Sequence, residues 1–510
     1  MPAAGPRVWA TVAVAAALAS AQPSKCPPRP FTVPLPSPPS ALLEAAATWA
    51  ASLCAQAAAA GVPSVQYHAA YRGAETPLVS GACGLAVRDP PRNATAQTLY
   101  RLASVSKVFV SLLLAQLSAN SSVIMDAPFT RVVPEFAVLD PWEGSNGSSI
   151  TPRHLASHMA GLGRDAPAGL TSLGDALSAL AQPAGGMTAP AGAAPHYSNI
   201  GFDILGYALA ERVLREDYAA AVTARVISPL ALADTGFNYS ADVLSRLATG
   251  YTADNLLPLA FQPPGFEVPA GGAYSTARDI TFLLDAIAAA AGGNVGASAS
   301  LGLPPASARD FLRPLWVSDD GSFLQGAPWE MVQLPVNGTA GMLVRGKDGG
   351  IAGFTSYVGI LPELRLSLAM LWNSDSVGTI PVAPSFEALV PPLLDALLAE
   401  QPRIDPGPRA MEYVGTYVSL AAPLRHSGVV ALVNGTLAFD SPLTHNAPLA
   451  AVPRTADTFM LATSPAAPGE PCAFIFGGAP NAYLTFQRNT TGAVSGFSAP
   501  FTFADTWVRI

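Results

Sequence analysis

The sequence predicts an α+β fold with an antiparallel sheet and a helical part, followed by an all-β domain at the C-terminus. Three observations point there. Strand-like runs at Ser64–Tyr71 and Leu78–Val87 lie early in the chain, and two more, Phe354–Leu361 and Leu364–Leu371, lie far downstream with Pro362-Glu363 at the turn. Between these pairs the pattern is mixed and largely helical. After Gln401–Pro408, which holds Pro402, Pro406 and Pro408, short strands alternate with Gly, Asn and Pro turns from Tyr413 to Ile510. Strands at both ends of a mixed middle predict that the terminal segments of the first domain share one sheet. The last stretch reads as a small barrel or sandwich.

The N-terminus reads as a secretory signal over residues 1–21. Arg7 precedes an apolar run, Val8 to Leu18, and Ala19-Ser20-Ala21 is a small-x-small cleavage site. The run is too short to span a bilayer, so no membrane attachment is expected after cleavage. Residues 22–40 form a Pro-rich lead-in, 41–400 the α+β domain and 409–510 the all-β domain. Helices are expected at Ala41–Ala60, closed by Gly61, at Thr151–Met159, at Gly201–Leu214 and at about Leu393–Glu400. Another runs from Thr276 to Ala291, where Thr276 and Asp279 are placed as a capping box.

The chain is globular in composition, with 50% hydrophobic and 12% charged residues, and its net charge of −8 gives no basic patch for nucleic acid. Seven Asn-x-Ser/Thr sequons, at Asn93, Asn120, Asn146, Asn238, Asn337, Asn434 and Asn489, predict a glycosylated secreted protein. After signal cleavage Cys26, Cys54, Cys83 and Cys472 remain, an even number that predicts two disulfides with three pairings open.

The stretch around Ser104 organises the rest. Ser104 and Lys107 stand three apart, on one face of a helix. From Val108 to Leu117 the residues are mostly Val, Leu and Phe, so this helix is apolar nearly all round and should be buried. Burial lowers a lysine's pKa, and a neutral amine beside a hydroxyl can take its proton and release a nucleophile. Lysine usage sharpens the point: of 27 basic residues only Lys25, Lys107 and Lys347 are Lys. Arg holds its proton and cannot serve as a base. The folded body thus avoids lysine yet keeps it at Lys107 and Lys347.

Two further groups complete the candidate site. Tyr197-Ser198-Asn199 follows a Pro, Gly and Ala-rich loop and precedes a helix; a Tyr hydroxyl near an ammonium can act as acid or base. Lys347-Asp348-Gly349-Gly350 precedes the strand Phe354–Leu361, where a cationic edge strand could meet a substrate carboxylate. The backbone N–H groups of Ser104 and Gly350 are candidate oxyanion donors. His154 and His158 have metal-like spacing, but no Glu follows the first His and no third ligand is evident, so no metal or other cofactor is expected.

Ser104-Val105-Ser106-Lys107, Tyr197-Ser198-Asn199 and Lys347-Asp348-Gly349, in this order, resemble the three motifs of class C β-lactamases and their penicillin-binding-protein and esterase relatives. Ile150 to Leu162 and Pro269 to Thr276 resemble two further blocks of that family, and the β-rich tail beginning Tyr413-Val414-Gly415 is similar to that of secreted fungal β-lactamase-like proteins. The resemblance implies a β-lactamase/transpeptidase-like antiparallel sheet with a helical subdomain. It also implies a serine acyl-enzyme, Lys107 and Tyr197 as bases or acids, and Asn199 and Lys347 near the substrate. One departure stands out: the family's third motif usually has Thr, Ser or Gly where this chain has Asp348. A carboxylate there repels a substrate carboxylate, provided a twist or bulge turns it inward, because adjacent strand residues face opposite sides. The leading expectation is a secreted serine hydrolase for a small ester, amide or peptide. The alternatives are a true β-lactamase or D,D-peptidase, and a catalytically silent binding or scaffold protein of the same fold. The sequence leaves the oligomeric state open.

Overall fold

The structure is a computed structural model that describes residues 37–510, apart from 74–76, 143, 145, 146, 148, 166, 253–255, 337, 338, 376–381, 400–408, 421–426, 434, 435, 441–446, 452–456, 462–482 and 500–503. The chain divides into two compact units, one of residues 36–336 and 341–395 and one that carries the C-terminal strands. The signal, most of the Pro-rich lead-in and the Gln401–Pro408 segment lie outside the described residues.

In the first unit, α1 (Ser40–Ala59) buries Leu42, Ala46, Trp49, Ala50, Leu53 and Ala57, one stripe at helical spacing. It packs on β1 (Ser64–Tyr71) and β2 (Pro77–Arg88), with Trp49 edge-on to Tyr67 at 6.0 Å between ring centroids. The short β3 (Pro91–Asn93) continues the meander. Then come β4 (Tyr100–Arg101), a tight 3-10 turn at Ala103–Ser106, and α2 (Lys107–Ala119). Every residue of α2 from Lys107 to Leu117 is buried, as its all-round apolar sequence requires.

Helix α3 (Pro152–Ala156) starts as expected, with Thr151 Oγ1 accepting from His154 N at 3.1 Å, but it stops short of Met159. The backbone at His158 turns left-handed (φ 61°), which ends the helix. Helix α4 (Asn199–Tyr207) starts two residues earlier than expected, because Ser198 Oγ accepts from Gly201 N, and its last turns at Ala208–Leu214 widen to i→i+5 pairing. After β5 (Tyr274–Ser275) comes α5 (Ala277–Ala291). Thr276 caps it by accepting from Asp279 N; the Asp279 carboxylate accepts from Asp234 N instead of returning to the cap, so only half the capping box forms.

The remaining strands of this unit are β6 (Trp316–Val317), β7 (Phe323–Gln325), β8 (Glu330–Val336), β9 (Thr339–Ile351), β10 (Phe354–Leu361) and β11 (Leu366–Trp372). Helix α6 (Val382–Ala399) follows; it contains Pro391 and Pro392 and begins well before the expected Leu393. The sheet order is β3-β2-β1-β11-β10-β9-β8-β7-β6. The first and last long strands pair antiparallel, Val65 opposite Trp372 and Tyr71 opposite Leu366, so the terminal segments do share one sheet. Every residue of β10 and β11 is buried, as in a sheet covered on both faces. Strand β9 lies inside this order, so the lysine it carries is not on an edge strand.

In the second unit, eight strands among the described residues close into an antiparallel barrel: β12 (Gly415–Ser419), β13 (Ser427–Val433), β14 (Thr436–Asp440), β15 (Ala447–Ala451), β16 (Thr458–Leu461), β17 (Tyr483–Arg488), β18 (Val494–Ala499) and β19 (Ala504–Arg509). Closure comes where β19 pairs back on β12, Arg509 opposite Tyr417, which leaves no open edge. Its core is aromatic: Tyr417, Phe439, Phe459, Phe486, Phe497 and Trp507, the last two stacked at 5.5 Å.

One disulfide joins Cys54 of α1 to Cys83 of β2; Cys26 and Cys472 lie outside the described residues. Asn93, Asn120, Asn238 and Asn489 are exposed, whereas Asn146, Asn337 and Asn434 lie outside the described residues. The Cys54–Cys83 bridge closes a loop with a sequence separation of 29. Replacing both cysteines by Ser is expected to cost about 3 kcal/mol of stability, read as a lower midpoint in denaturant unfolding. A midpoint unchanged from wild type would show that the bridge constrains nothing.

Candidate active site

The turn that carries Ser104 is clamped from several sides. Leu102 N donates to Ala273 O at 2.8 Å, Ala273 N donates to Ser106 Oγ at 3.0 Å, and Ser356 Oγ on β10 donates to Leu102 O at 2.7 Å. Ala273 belongs to the Pro269–Thr276 block singled out in the sequence, which therefore serves to hold the turn. Ala103, fully buried, takes a left-handed backbone (φ 47°) directly before Ser104. On the neighbouring strand, Gly349 passes so close that a Cβ there would strike Leu102 O and Ser356 Oγ and lie 2.9 Å from Ser104 N. Only glycine fits this crossing. The next residue, Gly350, is exposed with open space beside it.

Ser104 sits in the 3-10 turn and Lys107 is the first residue of α2, so the i, i+3 spacing still places them together. Lys107 Nζ has no exposed surface and lies 3.0 Å from Ser104 Oγ, 2.7 Å from Asn199 Oδ1 and 2.8 Å from Ala270 O. Burial pushes the Lys107 amine down to about 7, and the Lys347 charge acts in the same direction. Tyr197 OH lies 2.6 Å from Ser104 Oγ on the other side, and burial raises the pKa of this phenol. The structure thus brings Ser104, Lys107, Tyr197 and Asn199 together as the sequence predicted.

Two supporting residues, Asp165 and Asp203, escaped the sequence reading, and a third, His158, was weighed there only as a metal ligand. Asp165 Oδ1 accepts from Asn199 Nδ2 at 2.7 Å, which turns the amide oxygen toward Lys107. Asp203 is buried on α4; its Oδ1 accepts from Ala270 N at 3.0 Å, the backbone N–H of the residue whose carbonyl faces Lys107. Burial raises the Asp203 carboxyl well above its usual range. His158 stacks on the Tyr197 ring at 4.0 Å and accepts from Ser198 N at Nδ1, so its place is beneath the tyrosine. Burial lowers the pKa of His158 well below the usual value and keeps the ring neutral. A lone Asp in the apolar run Ile200–Leu205 was the available signal for Asp203.

Lys347 departs most from expectation. It has no exposed surface, and its Nζ donates to Glu330 Oε1, to its neighbour's carbonyl Asp348 O at 2.9 Å and to Asp348 Oδ1 at 3.0 Å. The expected opposite-face arrangement of Lys347 and Asp348 does not isolate them, because the long lysine chain curls back to the aspartate. Glu330 Oε2 in turn accepts from Asp348 N at 3.1 Å. Burial acts to lower the Lys347 pKa, but the Glu330, Tyr197 and Asp348 charges outweigh it and the net direction is upward. Lys347 Nζ stands 5.3 Å from the centre of the Tyr197 ring.

This sheet with its helical part, and a buried Ser-Lys-Tyr centre beside it, define the serine β-lactamase-like fold. Solved structures agree. A class C β-lactamase from Rhodobacter sphaeroides superposes with a TM-score of 0.56 at 22% identity, over 70% of this chain and 99% of that one. EstCE1, a hydrolase with promiscuous acyltransferase activity, gives the same score and identity over the same shares. The Beta-lactamase family model matches residues 50–385, and the chain belongs to that family. The human beta-lactamase-like 1 protein is 30% identical over 406 residues, 77% of each chain. Esterase EstB of Burkholderia gladioli is 35% identical over 212 residues, 38% of this chain and 51% of that one. The fungal likeness is weaker than the human one: a beta-lactamase-like protein of Arthroderma benhamiae is 25% identical over 240 residues, 44% of this chain and 35% of its own. The chain spans about half the length of two Dictyostelium discoideum relatives that it also matches.

The strained backbone at Ala103 gives a direct test of how the nucleophile turn is held. Ala103→Val, a β-branched residue forced to positive φ in a buried site, is expected to cost at least about 2 kcal/mol. Ala103→Gly should stay within about 1 kcal/mol of wild type. Thermal unfolding midpoints of the two variants decide; equal losses would mean that φ at this position is not what matters.

Proposed function

We propose that the chain is a serine hydrolase that cleaves an ester or amide through an acyl-enzyme on Ser104. The observation that carries this reading is the pair of contacts on Ser104 Oγ, with Lys107 Nζ at 3.0 Å and Tyr197 OH at 2.6 Å. Asn199 Oδ1 and Ala270 O can only accept, so they take two N–H bonds of Lys107. In the neutral amine the remaining position on nitrogen is a lone pair, directed at Ser104 Oγ. Tyr197, with its raised pKa, keeps its proton and donates to the same oxygen. The Ser104 proton therefore leaves toward Lys107 as Oγ attacks the carbonyl carbon.

The oxyanion that forms is assigned to the backbone N–H groups of Ser104 and Gly350. When the intermediate collapses, the bond to the leaving alcohol or amine breaks and Tyr197 supplies its proton, regaining one from Lys107. Water then attacks the acyl-enzyme, with the same groups working in reverse. Small esters, amides and peptides are the substrate class that the esterase and D-alanyl-D-alanine carboxypeptidase relatives support. The N-terminal leader and the exposed sequons favour a secreted glycoprotein, with residues 409–510 as a domain of its own.

The test uses a fluorophosphonate probe and a small aryl ester. Ser104→Ala should lose labelling and drop turnover at least about hundredfold; retention of either would remove Ser104 as nucleophile. Lys107→Arg keeps the charge but cannot give up its proton, so kcat should fall nearly as far. Substantial kcat in that variant would mean that a structural cation suffices. Because the base works deprotonated and its pKa lies at about 7, kcat/KM should rise with pH through that region and level off above it. A profile flat from pH 6 to 8 would contradict the lysine-base step.

A further inference from the structure

We propose that Glu330, with Asp348, sets the substrate class of this site by locking Lys347 away from any substrate carboxylate, so that the enzyme accepts uncharged or cationic leaving groups and rejects carboxylate-bearing ones. The proposal rests on the serine hydrolase reading above and deepens it. A lysine ammonium has three N–H donors. Lys347 spends all three inside the protein, on Glu330 Oε1, Asp348 O and Asp348 Oδ1, and its side chain has no exposed surface. No donor is left for a ligand.

The lock is built, because Glu330 uses both oxygens. One takes Lys347 Nζ and the other accepts from Asp348 N at 3.1 Å, so a single carboxylate ties the lysine head to the backbone of the next residue. Glu330 is itself fixed by its neighbour. Trp329 is fully buried and donates from Nε1 to Phe311 O at 2.9 Å, which anchors the start of β8.

Charge follows from the same geometry. One ammonium is met by two carboxylates, so once Glu330 is ionised, above about pH 7, the cluster is net negative, and its solvent end is Asp348, whose side chain is 57% exposed. The cluster borders the side on which the leaving group departs. Lys347 Nζ lies 5.3 Å from the ring centre of Tyr197, the proposed leaving-group acid. Arg164, a further cation near that ring at 4.8 Å from its centre, already has Asp165 within 3.8 Å. A carboxylate on the leaving group thus meets a negative cluster, which repels it even across partly solvated space.

The experiment compares two nearly isosteric esters that differ in that charge, 3-carbamoylphenyl butyrate and 3-carboxyphenyl butyrate. Wild type should favour the neutral ester in kcat/KM by about tenfold or more. Glu330→Gln removes one negative charge and loosens Lys347, and should narrow the preference about tenfold, mainly through a lower KM for the anionic ester. Asp348→Asn, on the exposed end, should narrow it in the same direction with little demand on folding. Glu330→Asp keeps the charge and should keep the selectivity even if the protein is less stable, which separates the electrostatic role from a structural one. Wild type treating both esters within twofold, or a preference that survives both Glu330→Gln and Asp348→Asn, would overturn the proposal while leaving the hydrolase reading intact. A wild-type protein that turns over neither ester and takes no fluorophosphonate would overturn the hydrolase reading and this proposal together.

Discussion

Lys107 is a cation-forming group in a place where water cannot reach it, and much of the first unit is arranged to meet that demand. Helix α2 is buried on all faces, so the side chain has no route along which to reach solvent. An isolated buried ammonium costs several kcal/mol. Acceptors from three separate segments surround Nζ instead, and each residue is held from behind: Asn199 by Asp165, Ala270 through its N–H by Asp203, and Ser104 by Tyr197. Because these partners are neutral, they satisfy the nitrogen without fully restoring its charge. The fold thus leaves the amine able to exchange a proton near neutrality.

The two lysines of the first unit show that burial alone does not set a protonation state. Neither has any exposed surface. Lys107 lies among an amide, a peptide carbonyl and a hydroxyl, and its pKa falls; Lys347 lies against Glu330 and Asp348, and its pKa rises. The desolvation acts downward on both, so the neighbours decide the outcome. Glu330 answers in kind: burial pushes its carboxyl up while Lys347 pulls it back, the balance lies at about 7, and with 23% of its side chain exposed it meets Lys347 at the edge of the cleft. Two residues of the same type, within reach of one tyrosine ring, are prepared for different work.

How much of this could be read from the chain alone depends on where the information is stored. The strands Ser64–Tyr71 and Phe354–Leu361 were legible to the residue, because β-branched and aromatic runs bounded by turn residues leave little choice. Lys107 was legible because lysine is scarce in an Arg-favouring chain and stood three residues after Ser104 at the start of an apolar helix; Tyr197 was legible through the resemblance of Tyr197-Ser198-Asn199 to the family's second motif. The early end of α3 was not, because it depends on a left-handed backbone at His158, a residue that packs under Tyr197. Glu330 was invisible for another reason. Its partner stands 17 positions away on the neighbouring strand, and pairing between strands leaves no local mark in sequence. Asp348 was noticed, but its consequence was incomplete until the second carboxylate came into view.

The pairing of β1 with β11 carries a further consequence, one of timing. These strands are neighbours in the finished sheet, yet residues 64–71 leave the ribosome long before residues 366–372 exist. At about 5–20 residues per second, the intervening chain takes on the order of 15 to 60 s to make. Throughout that interval β1 has only β2 beside it, with its other edge unpaired. The Cys54–Cys83 bridge lies within this earliest segment and can hold α1 against the first hairpin before anything downstream is synthesised. An oxidising compartment would thus supply, during synthesis, the restraint that the sheet itself provides only at the end.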